Sequence, residues 1–69
     1  MLPITNKVRE AREARGMTQS DLGAAIGMTR QTIAAIEQRR YSPSLEAAFR
    51  IARVFGEPLD ALFAWEEGR

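Results

Sequence analysis

The stretch from Gln19 to Gln38, QSDLGAAIGMTRQTIAAIEQ, limits what this chain can fold into more than any other part of it. It reads as two short helical segments on either side of Gly27, a residue suited to the left-handed backbone of a tight turn. Leu22, Ala25 and Ile26 form an apolar stripe on the first segment, and Ile33 and Ile36 form one on the second, with Met28 in the turn. Stripes at that spacing set two helices across each other and bury one face of each. The far face of the second helix is polar and small-sided. A helix that carries Arg and Gln with no bulky side chain in its way suits the groove of a nucleic acid.

The whole chain has 69 residues, enough for one small domain over 1–69 with a modest core. Its 45% apolar and 28% charged residues describe a globular chain and not a disordered tail. There is no cysteine and no histidine, which removes disulfides, thiolate metal sites, the commonest general base and the commonest metal ligand. No catalytic set, metal site, cofactor or small-molecule ligand is therefore expected. An enzyme would have to work with carboxylates or Lys7, and no two acids are spaced to suggest a cleft. No run approaches the ~20 apolar residues of a membrane span, and no signal-peptide pattern opens the chain, so a cytoplasmic location is expected.

Net charge is only +1, but it is unevenly spread. Residues 1–56 hold nine basic and five acidic side chains, whereas Glu57, Asp60, Glu66 and Glu67 face only Arg69 beyond them. That polarity fits a basic working face with an acidic end held away from it, or an ordinary mixed surface.

Four or five helices follow one another, with no convincing strand run. The first is expected from Asn6, as N-cap, to Arg15, stopped by Gly16, with Ile4, Val8, Ala11 and Arg15 on one face. The second opens at Thr18, where Asp21 completes a capping box. The third is capped by Thr29 and runs to about Gln38. Ser44 caps a fourth with the stripe Leu45, Ala48, Phe49, Ala52 and Phe55, stopped by Gly56. A fifth starts at Pro58 and carries Leu59, Leu62 and Phe63. The ends, Met1–Thr5 and Ala64–Glu67, are compatible with fraying or with a two-stranded ribbon, which Pro3 disfavours.

On a wheel of about 100° per residue, Gln31, Ala35 and Gln38 lie opposite Ile33 and Ile36, with Ala34 beside them. Arg30 stands at the N-terminal end, where a long side chain swings forward. Arg pairs with guanine and Gln with adenine in the major groove, and Ala admits close approach and a thymine methyl. Phosphate contacts are expected from Gln19 and Thr29 at two helix N-termini and from Arg39, Arg40 and Ser42 after the third helix. The plainer alternative is a solvated polar face and a solvated turn. Tyr41 suits a phosphate contact or packing over Pro43. Arg12 and Glu37 fall on inner flanks that should meet, and are expected to form a structural ion pair.

Taken together, these residues resemble the Cro/phage-repressor type of helix-turn-helix, the xenobiotic response element family of bacterial and phage regulators. The resemblance runs from Lys7 to Trp65. It rests on Thr18-Gln19, Leu22, Gly27, Thr29 to Ile33, Ile36-Glu37, Tyr41 to Leu45 and Pro58 to Phe63, and the tail is similar to that of short stand-alone repressors. It implies an all-α, five-helix lambda-repressor-like domain with its helix-turn-helix at 18–38, a small ribbon from both chain ends, and a symmetric homodimer on double-stranded DNA. By position, Gln19 matches a phosphate-binding Gln, Arg30 and Gln31 two base-reading positions, and Thr32 a nearby contact. Ala35 matches a third base-reading position that often carries a longer side chain. Arg12 and Glu37 match a buried ion pair. Gly23 replaces a more usual Ala, and Arg39 stands where many relatives have Gly.

A dimer would place two reading helices about 34 Å apart, one turn of B-DNA, on a pseudo-palindromic operator. Leu59, Phe63 and Trp65 are the expected interface, since the acidic end holds more apolar surface than one small core needs. Phe55 is the best candidate there for the core. Repression would follow from occupying a promoter. The rival reading is a protein-interaction or antitoxin-like module on the same fold, against which the exposed Arg30, Gln31, Arg39 and Arg40 argue.

Overall fold

The computed structural model describes residues 2–66. Met1, Glu67 and Arg69, used above in the end-pairing and charge arguments, lie outside the described residues. Five helices are present: α1 Val8–Ala14, α2 Gln19–Ile26, α3 Arg30–Glu37, α4 Leu45–Phe55 and α5 Leu59–Leu62. Two short strands, β1 Ile4–Asn6 and β2 Phe63–Trp65, join the chain ends. The molecule is thus mostly helical but not strictly all-α.

The helix starts follow from hydroxyl side chains that accept free N–H groups of the first turn. Thr18 Oγ1 accepts from the Asp21 amide at 3.0 Å, and Asp21 Oδ2 accepts from the Thr18 amide at 2.9 Å, completing the capping box. Thr29 and Ser44 cap α3 and α4 in the same way, accepting from Thr32 and Ala47. The stops share one physical solution too. Gly16, Gly27 and Gly56 take positive φ after α1, α2 and α4, and Arg39 does so after α3 with φ 60°. There the Arg40 amide reaches Ala35 O at 2.9 Å and the Arg39 amide reaches Ile36 O at 3.0 Å, the double closure of a Schellman end.

Helix α1 begins later than its sequence suggests. Asn6 is drawn into β1, and the helix opens at Val8 behind Lys7. Asn6 still supplies the cap chemistry from that position: its Oδ1 accepts from the Val8 amide at 3.1 Å. Phe63, expected on the fifth helix, sits in the ribbon instead, and Ile4 takes the ribbon place that its end segment allowed. The strands pair antiparallel, Ile4 with Trp65, Thr5 with Ala64 and Asn6 with Phe63. Pro3 does not block this pairing because it contributes its carbonyl, which accepts from the Glu66 amide at 2.7 Å, and no N–H is required of it.

The core gathers Val8, Leu22, Ile26, Ile33, Ile36, Ile51, Ala52, Phe55 and Leu62, with Met28, Leu59 and Phe63 packed around it. Two apolar assignments move. Ala25 is exposed, and the buried position in that turn of α2 is Gly23. On α4 the buried face is Ala47, Ala48, Ile51, Ala52 and Phe55. Leu45 and Phe49 stay outside, 68% and 50% exposed. The stripe read from sequence is therefore turned away from the true buried face: it omits Ala47 and Ile51, and Ile51 is fully buried, because α1 and α2 pack against α4 on that side.

Candidate nucleic-acid interface

The turn between α2 and α3 fixes how the candidate reading helix is presented. Its tightness depends on Gly23, whose carbonyl accepts from the Met28 amide at 2.8 Å. A Cβ at that position would lie 2.5 Å from Met28 O. Gly23, which stands where the resemblance has Ala, is therefore a steric requirement of the turn.

Behind α3 lies a buried polar joint. Arg12 Nε and Nη2 reach Glu37 Oε2 and Oε1 at 2.8 and 3.2 Å, a bidentate pair, while Arg12 Nη1 donates to Met17 O at 2.8 Å. Both side chains are almost fully removed from solvent. The hydrogen bonds that Arg12 donates to the Glu37 carboxylate raise the Arg12 pKa above its ordinary value, more than burial lowers it. Gln19 joins the same carboxylate, donating from Nε2 to Glu37 Oε1 at 3.1 Å. That bond turns the Gln19 carbonyl outward, and Arg30 Nη1 approaches Gln19 Oε1 at 3.5 Å. A polar chain thus runs from the buried pair to the first residue of α3.

The outer face of α3 brings Arg30, Gln31, Thr32 and Ala35 together. Gln31, Thr32 and Ala35 line a shallow surface recess whose fourth wall is Tyr41. Sequence alone allows Tyr41 either a phosphate contact or packing over Pro43, because only the return of the chain after α3 carries it back to that face; it is 47% exposed there. The Thr32 hydroxyl is 3.0 Å from the hydroxyl of the cap residue Thr29, which ties both side chains to the helix start. Arg40 is exposed, its Nε donating to Gln38 Oε1 at 2.8 Å, and Ser42 is half-buried in the following loop. Arg39 points elsewhere. Its guanidinium donates to Leu2 O and pairs with Glu66, so its side chain faces the ribbon rather than the outer face of α3.

Charge compensation divides the arginines. Arg9, Arg12, Arg15, Arg39 and Arg50 each lie within 4.0 Å of a carboxylate. Among the described residues no carboxylate pairs with Arg30 or Arg40, which bracket the candidate reading helix; Lys7 and Arg53 are likewise unpaired. Two uncompensated guanidinium groups at the ends of a small-sided helix form an anion-binding surface. Among the described residues no group of acidic side chains could hold a metal ion, and no helix is long and apolar enough to cross a membrane.

The profile of the helix-turn-helix family matches residues 8–62. This chain belongs to the helix-turn-helix family of DNA-binding transcriptional regulators. An uncharacterised HTH-type transcriptional regulator of Methanocaldococcus jannaschii is 44% identical over 64 residues, covering 93% of this chain and 97% of that protein. The HTH-type regulator YgzD of Bacillus subtilis is 45% identical over equal coverage. The cryptic phage CTXphi transcriptional repressor RstR of Vibrio cholerae is 30% identical over 64 residues, which span 58% of its length. Among solved structures, hydroxypropylphosphonic acid epoxidase from S. wedmorenis aligns with a TM-score of 0.73 and 31% identity. The match covers 83% of this helix-turn-helix chain but only 31% of the epoxidase, so the likeness is to one part of that enzyme.

Proposed function

We propose that this helix-turn-helix protein is a non-enzymatic repressor that binds a pseudo-palindromic operator as a homodimer, with α3 in the major groove. The observation that carries the reading is the pairing pattern around α3: among the described residues no carboxylate pairs with Arg30 or Arg40, while Ala34 and Ala35 keep the face between them small-sided. Arg30, Gln31, Thr32 and Ala35 then meet base edges, and Tyr41 lines the same recess as Gln31, Thr32 and Ala35. Gln19, Thr29, Arg40 and Ser42 lie where phosphates would flank the helix. A cytoplasmic site of action goes with this reading.

The dimer is supported by an apolar groove lined by Ile4, Pro43, Leu45, Ala48, Leu59 and Phe63. Leu59 and Phe63 belong to it. Trp65 stands on the same ribbon, directly paired with Ile4 and 64% exposed. Exposed Leu45 and Phe49 extend the face onto α4. A single small domain discriminates few base pairs, and two copies on one operator multiply that discrimination.

Selection from a randomised duplex library at two salt concentrations tests this. Enrichment of an inverted repeat with half-sites about one turn apart, bound less tightly as salt rises, is the expected result. No enrichment and no salt-dependent binding would move the assignment to a protein-interaction module.

A further inference from the structure

The ribbon made from the two chain ends is attached to the C-terminal end of the reading helix by polar ties that neither packing nor base reading needs. Ile36 O, in the last turn of α3, accepts two hydrogen bonds: from Asn6 Nδ2 at 2.9 Å and from the Arg39 amide at 3.0 Å. Arg39 then reaches over both strands' outer ends, donating to Leu2 O and pairing with Glu66. It holds this pose in a backbone conformation that L side chains avoid, and it is the one non-glycine residue with positive φ among the described residues. Its side chain is 19% exposed and its Nε is buried without a partner. An arginine that accepts strain and an unsatisfied donor, where glycine would close the helix at less cost, is there for what its guanidinium holds.

The same ribbon carries Ile4, Phe63 and Trp65, three residues of the apolar face assigned to the dimer. It is the part of the fold that touches both that face and the reading helix. A ribbon of three paired residues has little stiffness of its own, so the angle between the two surfaces depends on what ties it down.

We propose that Asn6 and Arg39, with Glu66, are positioning residues that lock the ribbon to α3 and thereby set the half-site spacing the dimer accepts. This rests on the homodimeric operator-binding reading above. A base pair inserted at the operator centre shifts one half-site by about 3.4 Å and rotates it by roughly a tenth of a turn. A locked joint cannot follow that movement, and a loosened one can.

The test uses the full-length protein and the operator it selects, together with versions lengthened or shortened by one central base pair. Asn6→Asp keeps the oxygen that caps α1 but removes the donor to Ile36. Glu66→Gln removes the charge that holds Arg39, and Arg39→Gly relieves the backbone while removing the guanidinium. Wild type is expected to lose about tenfold or more in affinity per one-pair change, and the variants about threefold or less. The dimer dissociation constant and the preference within one half-site should stay within about twofold of wild type.

Variants as strict about spacing as wild type would overturn the proposal, as would a wild type indifferent to spacing. A salt dependence on non-specific DNA that falls by about one unit of slope in Arg39→Gly, with spacing unchanged, would make Arg39 a phosphate contact instead. If Arg39→Gly melts below the working temperature, the other two variants decide. A wild type that selects no duplex overturns the regulator reading itself, a separate failure visible before any variant is made.

Discussion

Gly23, Glu37 and Arg30 show how differently single positions are constrained in this chain. Replacing Gly23 by Ala gains up to ~1 kcal/mol of helix propensity, yet the new Cβ would meet the Met28 carbonyl at 2.5 Å, and that atom is backbone. Gly23→Ala should therefore lower the melting temperature; a rise would mean that the α2–α3 turn widens freely. Glu37 accepts three hydrogen bonds in a buried site. Its removal in Glu37→Ala strands the Arg12 guanidinium, at a cost of about 3–5 kcal/mol in denaturant unfolding. Replacing both partners, as in Arg12→Met with Glu37→Leu, should recover most of that stability. Gln19 would lose its anchor in the double variant, so DNA affinity should not recover alongside.

Among the described residues neither Arg30 nor Arg40 has a carboxylate partner, but they should fail in different ways. Arg30→Ala should cost about 1–3 kcal/mol on the operator and relax preference at one base pair per half-site. Arg40→Ala should weaken all duplexes alike and reduce the salt dependence. Titrations on operator and random DNA at several salt concentrations separate the two. Equal behaviour of both variants on all DNA would remove Arg30 from base reading.

At the scale of elements, the start of α2 makes a pH prediction. The Thr18 amide and hydroxyl hold the Asp21 carboxyl below its ordinary range. A carboxyl whose folded-state pKa is depressed stabilises the fold above its unfolded value, near pH 4, and loses that contribution as pH falls through the folded value. Wild type should thus lose stability between about pH 5 and pH 3, and Asp21→Asn should lose less over that range in thermal melts. The same slope in both proteins would exclude Asp21 as its source. Arg12 makes no such contribution near neutrality, because its ordinary value and its raised folded-state value both lie far above neutral pH, so it is charged in both states.

Helix α4 carries a further element-scale consequence. Leu45 and Phe49 are large, apolar and exposed beside a groove that Ile4, Leu59 and Phe63 line. Phe49→Ser leaves Ala47, Ala48, Ile51, Ala52 and Phe55 in place. It should weaken self-association by about tenfold or more, as judged by sedimentation, if this face joins two copies. Unchanged association would place the interface elsewhere.

For the molecule as a whole, the helix-turn-helix at 18–38, the caps at Thr18, Thr29 and Ser44 and the stops at Gly16, Gly27 and Gly56 were legible in sequence. Each is a local rule: a hydroxyl reaches an amide two or three residues on, or a glycine turns left-handed at a helix end. The buried set Leu22, Ile26, Ile33, Ile36 and Phe55 was legible for a similar reason, since helical periodicity alone aligns it. The pairing of Arg12 with Glu37 also followed from wheel positions, although the third partner, Gln19, did not.

What only the tertiary structure decided depends on residues distant in sequence. Asn6 could be read as a cap but not as a strand residue that also reaches Ile36, because the strand exists only when Phe63 arrives beside it. Arg39 looked like a phosphate contact from its place after α3, and its turn towards Glu66 depends on where the far end of the chain lies. Which face of α4 is buried depends on where α1 and α2 pack against it, and that brings Ala47 and Ile51 into the core and leaves Leu45 and Phe49 outside. Sequence determined the helices, their caps and the face that α3 presents, because those are set within one or two turns of chain. Tertiary structure alone decided how the ends clasp the reading helix and which apolar surface is left uncovered, because both arise from contacts 27 to 59 residues apart.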